Sequence, residues 1–277
     1  MKIKDAHGGT RKYRPEKIRK SALRAGFSLA EAKDIEKEVG RRVEGGMSTE
    51  KVFEIVYREM KERNEIYAMK YCLRGSIASL KPKYHEFEKF ITKLLRWEGV
   101  NAEWSPRPKP QGECIDHEVD VIARVDDVKY VVECKHHYHQ HRYTGLDVPM
   151  RHWARLHDLN QGYQKGRNNS IEVDRAWVIV NTKLSDHAKK YAECKNVRMT
   201  AWKYPEEDSL DQIIERNNAY PISMMRPSDH VRTELSKKDI LTVRELAQLS
   251  SSQKKELDIK EYVLDSLQED AEEMIED

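Results

Sequence analysis

Asp120, Glu133 and Lys135 are the residues of this 277-residue chain best placed to do chemistry together. They lie in two runs rich in β-branched residues, residues 118–125 and 128–135, separated by Asp126-Asp127. A two-residue connection is the commonest hairpin loop, so the spacing predicts an antiparallel pair in which residue numbers summing to 253 face each other. Asp120 then sits opposite Glu133. Side chains alternate along a strand, which puts Glu118 and Asp120 on one face with Glu133 and Lys135, while Val119, Val121 and Cys134 take the other. Facing carboxylates with Cβ atoms roughly 5 Å apart repel and weaken the ladder. A divalent cation reverses that sign, and hard oxygen ligands favour Mg2+ or Mn2+. Lys135 is then within reach of a nucleophilic water or of the charge that develops on a phosphoryl oxygen. A solvated hairpin face would carry the same residues, but the apolar opposite face and the run Tyr130-Val131-Val132 speak for burial.

Asp120 followed by Glu133-Cys134-Lys135 resembles the PD-(D/E)xK nuclease signature, in the form found in Mrr-like restriction endonucleases and archaeal Holliday junction resolvases. The resemblance covers residues 84–205 and departs from the motif in placing Val119 where its proline stands. It implies a metal-dependent DNA endonuclease in which Asp120 and Glu133 hold the metal. A glutamate from the preceding helix joins them in that family, and the matching position here is Glu88. Phe87, Ile91, Leu94 and Leu95 follow helical spacing with Glu88 at the edge of the stripe. A glutamate there could equally serve the helix dipole.

The elements that would carry these residues alternate between strand and helix. A helix over residues 147–162, a buried strand over 175–181, a helix over 185–194 and a strand over 197–204 give an α/β core able to cover both faces of a central sheet. Gln161 and Gln164, near the end of the first of these helices, fit ordinary solvent exposure.

Charge is balanced overall, with 50 Lys and Arg against 48 Asp and Glu, so local patches must do any attracting. Arg96, Arg107, Lys109, Lys135, Arg142, Arg151 and Arg155 surround the hairpin in sequence, interleaved with Trp97, Trp104, Tyr138, Tyr143 and Trp153. That mixture suits phosphate contacts with base stacking, and equally suits an ordinary charged surface. His136, His137, His139 and His141 follow the Glu-x-Lys; without cysteine or carboxylate partners at zinc spacing, phosphate or substrate contact is the stronger expectation. Four widely separated cysteines indicate neither a zinc ribbon nor a disulfide framework, and with no membrane-length apolar run the expected setting is cytoplasmic.

Residues 1–13 read as a small basic hairpin turning at Gly8-Gly9, and Pro15 opens a helix bearing Ile18, Ala22, Leu23 and Ala25. Ser28 and Glu31 form a capping-box signature for a helix to Gly40, Ser48-Thr49-Glu50 starts another, and a fourth runs over residues 65–80. This arrangement resembles the ATP-cone nucleotide-sensing module. The resemblance implies that Lys4, Lys17 and Thr49 bind ATP or dATP as an effector, although the opening turn, Lys4-Asp5-Ala6-His7-Gly8, is degenerate. Plain surface lysines and a helix cap would look alike.

The expected whole is an α/β (α+β) chain in three parts. Residues 1–82 form a small helical ATP-cone with a short β-hairpin, and 83–218 a restriction-endonuclease-like mixed sheet flanked by helices. Residues 219–277 form a small helical module, helix-hairpin-helix-like around residues 238–246. The expected partners are DNA, an adenine nucleotide and, for cutting both strands of a duplex, a second copy of the chain as a dimer or higher homo-oligomer. A non-catalytic nucleotide-responsive DNA-binding protein and an RNA-directed nuclease are the alternatives.

Overall fold

A computed structural model describes residues 1–4, 9–139 and 142–276. Residues 1–73 and 74–275 each form a compact unit.

In the first unit, β1 (Lys2–Lys4) and β2 (Thr10–Lys12) pair antiparallel, with Ile3 opposite Arg11. Residues 5–8, which include Gly8 of the expected Gly8-Gly9 turn and all of the Lys4-to-Gly8 segment but Lys4, lie outside the described residues. Helices α1 (Pro15–Ala25), α2 (Leu29–Arg42), α3 (Thr49–Lys61) and α4 (Glu65–Tyr71) follow. Ile3 joins Ile18, Ala22, Ile35, Val39, Val56 and Met60 in one apolar core, whereas Leu23 stays exposed. The sequence signals for helix ends are used. Pro15 opens α1 at its first turn, and the Ser28 Oγ accepts from the Glu31 N–H while Glu31 accepts the Ser28 N–H at 2.8 Å. Gly26 ends α1 at φ +116, and a Cβ there would lie 2.8 Å from the Tyr67 ring. Both the dihedral and the close ring require glycine.

The second unit begins within α5 (Leu73–Ala78) and continues through α6 (Glu86–Trp97), β3 (Asn101–Trp104), β4 (Val121–Val125) and β5 (Val128–Lys135). Next come β6 (Tyr143–Thr144), α7 (Asp147–Gln164), β7 (Arg175–Val180), β8 (Lys183–Leu184), α8 (Asp186–Cys194) and β9 (Arg198–Ala201). The chain ends with α9 (Leu210–Arg216), α10 (Asp229–Lys237), α11 (Val243–Ala247), α12 (Ser251–Lys255) and α13 (Glu261–Glu276).

The central sheet is five-stranded and mixed, in the order β3-β4-β5-β7-β9. β3, β4 and β5 form an antiparallel meander, and β5, β7 and β9 run parallel. β7 carries the apolar run Ala176–Val180, buried throughout, as expected of a strand covered on both faces. On one face Val131, Ala176, Val178 and Val180 pack with Val148 and Leu159 of α7 and Ala188 and Ala192 of α8. Helix α6, with Phe87, Phe90, Ile91 and Leu94 buried, packs against β3 and β5. The fold is thus the mixed α/β arrangement expected from the sequence.

Two spans differ from expectation. The first hairpin strand starts at Val121 rather than Glu118, and Glu118 is exposed and pairs with Lys109 at 3.5 Å. The stretch expected as one helix over residues 65–80 breaks at Cys72 into α4 and α5. No described helix is long and apolar enough to cross a membrane.

The C-terminal helices share the unit of the sheet. Glu86, 1% exposed at the start of α6, accepts the Lys81 N–H at 2.6 Å, the Ser236 hydroxyl at 2.7 Å and the Arg232 guanidinium at 2.9 Å. Arg232 and Ser236 both belong to α10. A buried carboxylate with three donors, one of them cationic, fixes how α10 sits on α6.

Candidate active site at the end of the hairpin

β4 and β5 pair in the register that the 253 sum predicts: Val121 faces Val132 and Val125 faces Val128, with Asp126-Asp127 as the turn. Asp126 takes φ 51, which an aspartate tolerates better than most side chains. Asp120 lies one residue before the ladder and therefore comes opposite Glu133. Its backbone carbonyl accepts the Ser105 N–H at 2.8 Å and its Oδ2 accepts the Cys134 N–H at 2.7 Å. The carboxylate is held by the strand that carries Glu133.

Burial is the main reason that the Asp120 carboxyl is pushed up to about 7. Repulsion from Glu133 adds to it, as does Glu88 more weakly, while the Cys134 N–H and Arg155 oppose it. The structure therefore brings Asp120, Glu133 and Glu88 into one electrostatic neighbourhood, with Glu88 reaching it from the first turn of α6. Lys135 follows Glu133 by two residues at the end of β5, partly buried, and its ammonium group makes no salt bridge among the described residues.

The Glu133 Oε2 is occupied by the Arg155 guanidinium at 2.5 Å. Arg155 sits in the middle of α7, which covers this face of the sheet. Sequence reading placed Arg155 among seven basic residues near the hairpin without distinguishing it. The available signal was helical spacing: His152, Arg155 and Leu159 share one side of a helix whose apolar members face the sheet. His152 is buried, and its Nε2–H donates to the Val131 carbonyl at 2.8 Å. Burial pushes this histidine down to about 4, so it is neutral. One turn further on, Asp158 accepts the Cys114 N–H at 3.0 Å and hydrogen-bonds the His117 Nε2 at 2.8 Å, tethering the loop that leads into Asp120. Gly162 permits this approach, because a Cβ there would lie 2.6 Å from the Gln111 carbonyl oxygen.

The donor set suits a hard cation. Two facing carboxylates with a third nearby concentrate acidic oxygens, only partly offset by Arg155, and their repulsion adds to burial in raising Asp120. Among the described residues no three His, Cys, Asp or Glu side chains close up as a metal cage. Mg2+ keeps several waters and takes one or two carboxylates with substrate oxygens, so Asp120 and Glu133 fit it without a cage.

The histidines after Lys135 divide by exposure. The His136 Nε2–H donates to the Ile77 carbonyl at 2.9 Å, and the ring packs 5.0 Å from Phe87. The His137 N–H donates to the Asn181 side chain at 2.8 Å, and its Nε2 hydrogen-bonds the Thr144 hydroxyl at 3.2 Å. Burial holds both rings below the usual histidine range. His136 and His137, partly buried, thus each use one ring nitrogen in a bond within the fold, while His139 is exposed. His141 lies outside the described residues. Among the aromatics, Trp97 and Trp153 are partly buried under Arg244 and Lys195, whereas Tyr138 and Tyr143 are exposed.

In the first unit Lys4 bridges to Ser48, and the Lys4 N–H donates to the Met47 carbonyl at 2.8 Å. This brings Lys4 beside the start of α3, where Thr49 is the first residue and Ser48 the cap. Lys17 is exposed in the first turn of α1.

A mixed sheet whose meander ends in an acidic cluster followed by lysine defines the class as a restriction-endonuclease-like α/β domain. Residues 80–206 match the family described as restriction endonuclease. An uncharacterized protein of Archaeoglobus fulgidus is 32% identical over 148 residues, which span 53% of this chain and 79% of that relative. The crystal structure of a protein of unknown function, AF1548, is similar with a TM-score of 0.59 at 27% identity, covering 70% of this chain and 98% of that one. Residues 80–206 thus form a restriction-endonuclease-like domain.

Proposed function

We propose that the protein is a divalent-cation-dependent DNA endonuclease whose active site is built from Asp120, Glu133, Lys135 and Glu88. The observation that carries this reading is Asp120, held across the hairpin from Glu133, with its carboxyl raised to about 7 by burial and by neighbouring carboxylates, and with a lysine two residues beyond. Asp120 and Glu133 would hold Mg2+ or Mn2+. Such a cation supplies, when bound, polarisation of the phosphoryl oxygens and a lowered pKa for water. The Cys134 N–H and Ser105 N–H keep Asp120 oriented before substrate arrives, which lowers the reorganisation needed at the moment of reaction. Lys135 donates to a phosphoryl oxygen or orients the attacking water, and Glu88 adds negative potential from α6.

The first unit is proposed to bind ATP or dATP through Lys4, Lys17 and Thr49 and to tune the nuclease. What supports this is the placement of Lys4 against the Ser48-Thr49 helix start, where backbone N–H groups favour phosphate. The test of the whole reading is cleavage of linear, supercoiled, branched and single-stranded DNA, and of RNA, with Mg2+, in the presence and absence of ATP and dATP. Asp120→Ala and Lys135→Ala abolish cleavage and leave DNA binding largely intact. Cleavage at the parental rate by either variant sinks the site assignment, and cleavage unchanged by nucleotide sinks the regulatory part.

A further inference from the structure

Arg155 occupies one of the two carboxylate oxygens of Glu133, a residue proposed to hold the cation. The Nη1–Oε2 separation is 2.5 Å, and the two side chains are 26% and 23% exposed, so solvent reaches the pair from outside the core. A carboxylate oxygen that accepts a charge-assisted bond from a guanidinium has part of its charge balanced by it. Glu133 is the only side-chain hydrogen-bond partner of Arg155 among the described residues, so most of the five guanidinium donors remain available to an anion. The helix beneath it is pinned on both sides. Three residues before, His152 is bonded to the Val131 carbonyl; three residues after, Asp158 is bonded to Cys114 and His117. Arg155 can therefore change partner by rotating its side chain while α7 stays in place.

Building on the nuclease reading, we infer that Arg155 is a catalytic residue that changes partners, neutralising Glu133 in the cation-free chain and hydrogen-bonding the scissile phosphate once a divalent cation has taken that carboxylate. Planar guanidinium donors match two phosphoryl oxygens, a geometry that a lysine ammonium does not reproduce. Before cation binding, Arg155 masks part of the acidic cluster. Afterwards it counters charge on the phosphate from the α7 side of the site, complementary to Lys135 at the strand end. A purely structural ion pair would instead contribute only to stability, and at this exposure only modestly.

The two roles give opposite signs in one measurement. Mn2+ binding to the DNA-free full chain, followed by the spin-resonance signal of free Mn2+, is compared between the parental protein, Arg155→Met and Arg155→Lys. Loss of the competing cation makes Arg155→Met bind Mn2+ about tenfold more tightly. Its kcat for cleavage with Mg2+ falls about a hundredfold while KM changes little, as when one preorganised donor is removed from a reacting oxygen. Arg155→Lys lies between the two in Mn2+ affinity and recovers only part of kcat. Mn2+ affinity that is unchanged or weaker in Arg155→Met, or a parental kcat, overturns the role of Arg155 and leaves the nuclease reading standing. A parental protein that neither binds Mn2+ nor cuts nucleic acid overturns both.

Discussion

The Asp120 carboxyl is raised to about 7, so this residue makes stability depend on pH with a definite sign. An acid raised above its unfolded value contributes stability that is fully present below about pH 4 and is lost as pH rises through about 7. In the cation-free protein Asp120→Asn is therefore expected to stabilise by about 2–4 kcal/mol at pH 8 and by almost nothing at pH 4, read by urea unfolding at the two pH values. An equal gain at both would show that Asp120 is not strained by its neighbours. Under the proposed function the same proton leaves before Asp120 holds a cation, so Mn2+ affinity should rise up to about tenfold per pH unit between pH 5 and 7 and level off above. His152 has the opposite sense. Its folded value, about 4, lies below that of a free histidine, so its contribution is full above pH 6.5 and is lost as pH falls toward 4. Ring NMR at pH 5.5 should find it neutral with the proton on Nε2, and a ring titrating near 6.5 would contradict its burial.

Helix α7 is the element on which the site depends, because one side of it touches β5 through His152 and Arg155 and the loop before β4 through Asp158. Gly162 lies where helix and loop come nearest. Gly162→Ala gains about 1 kcal/mol of helix propensity, but its methyl would stand 2.6 Å from the Gln111 carbonyl oxygen and from Gly112 backbone. Backbone cannot yield as a flexible side-chain end can, so the clash wins. A net loss of about 1–3 kcal/mol is expected in thermal or urea melts, and a more stable variant would refute the contact. The hairpin, by contrast, was readable in advance, because a two-residue loop fixes register locally and alternation then fixes faces. The pairing of Glu133 with Arg155 was not, since it joins residues 22 positions apart through the rotation of a helix about its axis. The internal bonds of His136 and His137 were not readable for a related reason: histidine serves a phosphate or a carbonyl equally well, and only the neighbours decide which.

Across the sheet unit, the C-terminal helices are tied to the core by Glu86, whose buried carboxylate receives Arg232 and Ser236 of α10. Removing one partner of a buried pair leaves an uncompensated charge, so Arg232→Ala should cost about 3 kcal/mol. Arg216 forms short ion pairs with Glu98 and Asp208 on the surface, where water screens them, and Arg216→Ala should cost about 1 kcal/mol or less. Thermal melts of the two variants rank these effects, and equal losses would mean that Glu86 is better hydrated than its 1% exposure implies. The tie between Glu86 and the C-terminal helices was not legible in the sequence, because a glutamate at a helix start reads as a dipole partner and nothing local announces a donor 150 positions away.

The sequence by itself determined the periodicities of the strands and helices, the caps of the first helices, and the hairpin register that sets Asp120 against Glu133. All of these are local, fixed by alternation, loop length and the backbone needs of a few residues. Only the tertiary structure decided that Arg155 holds Glu133, that His136 and His137 bond to Ile77 and Thr144, and that Glu86 anchors α10. Those outcomes depend on which faces meet when helices close over a sheet, and a charged side chain does not carry its partner's position in its own neighbourhood.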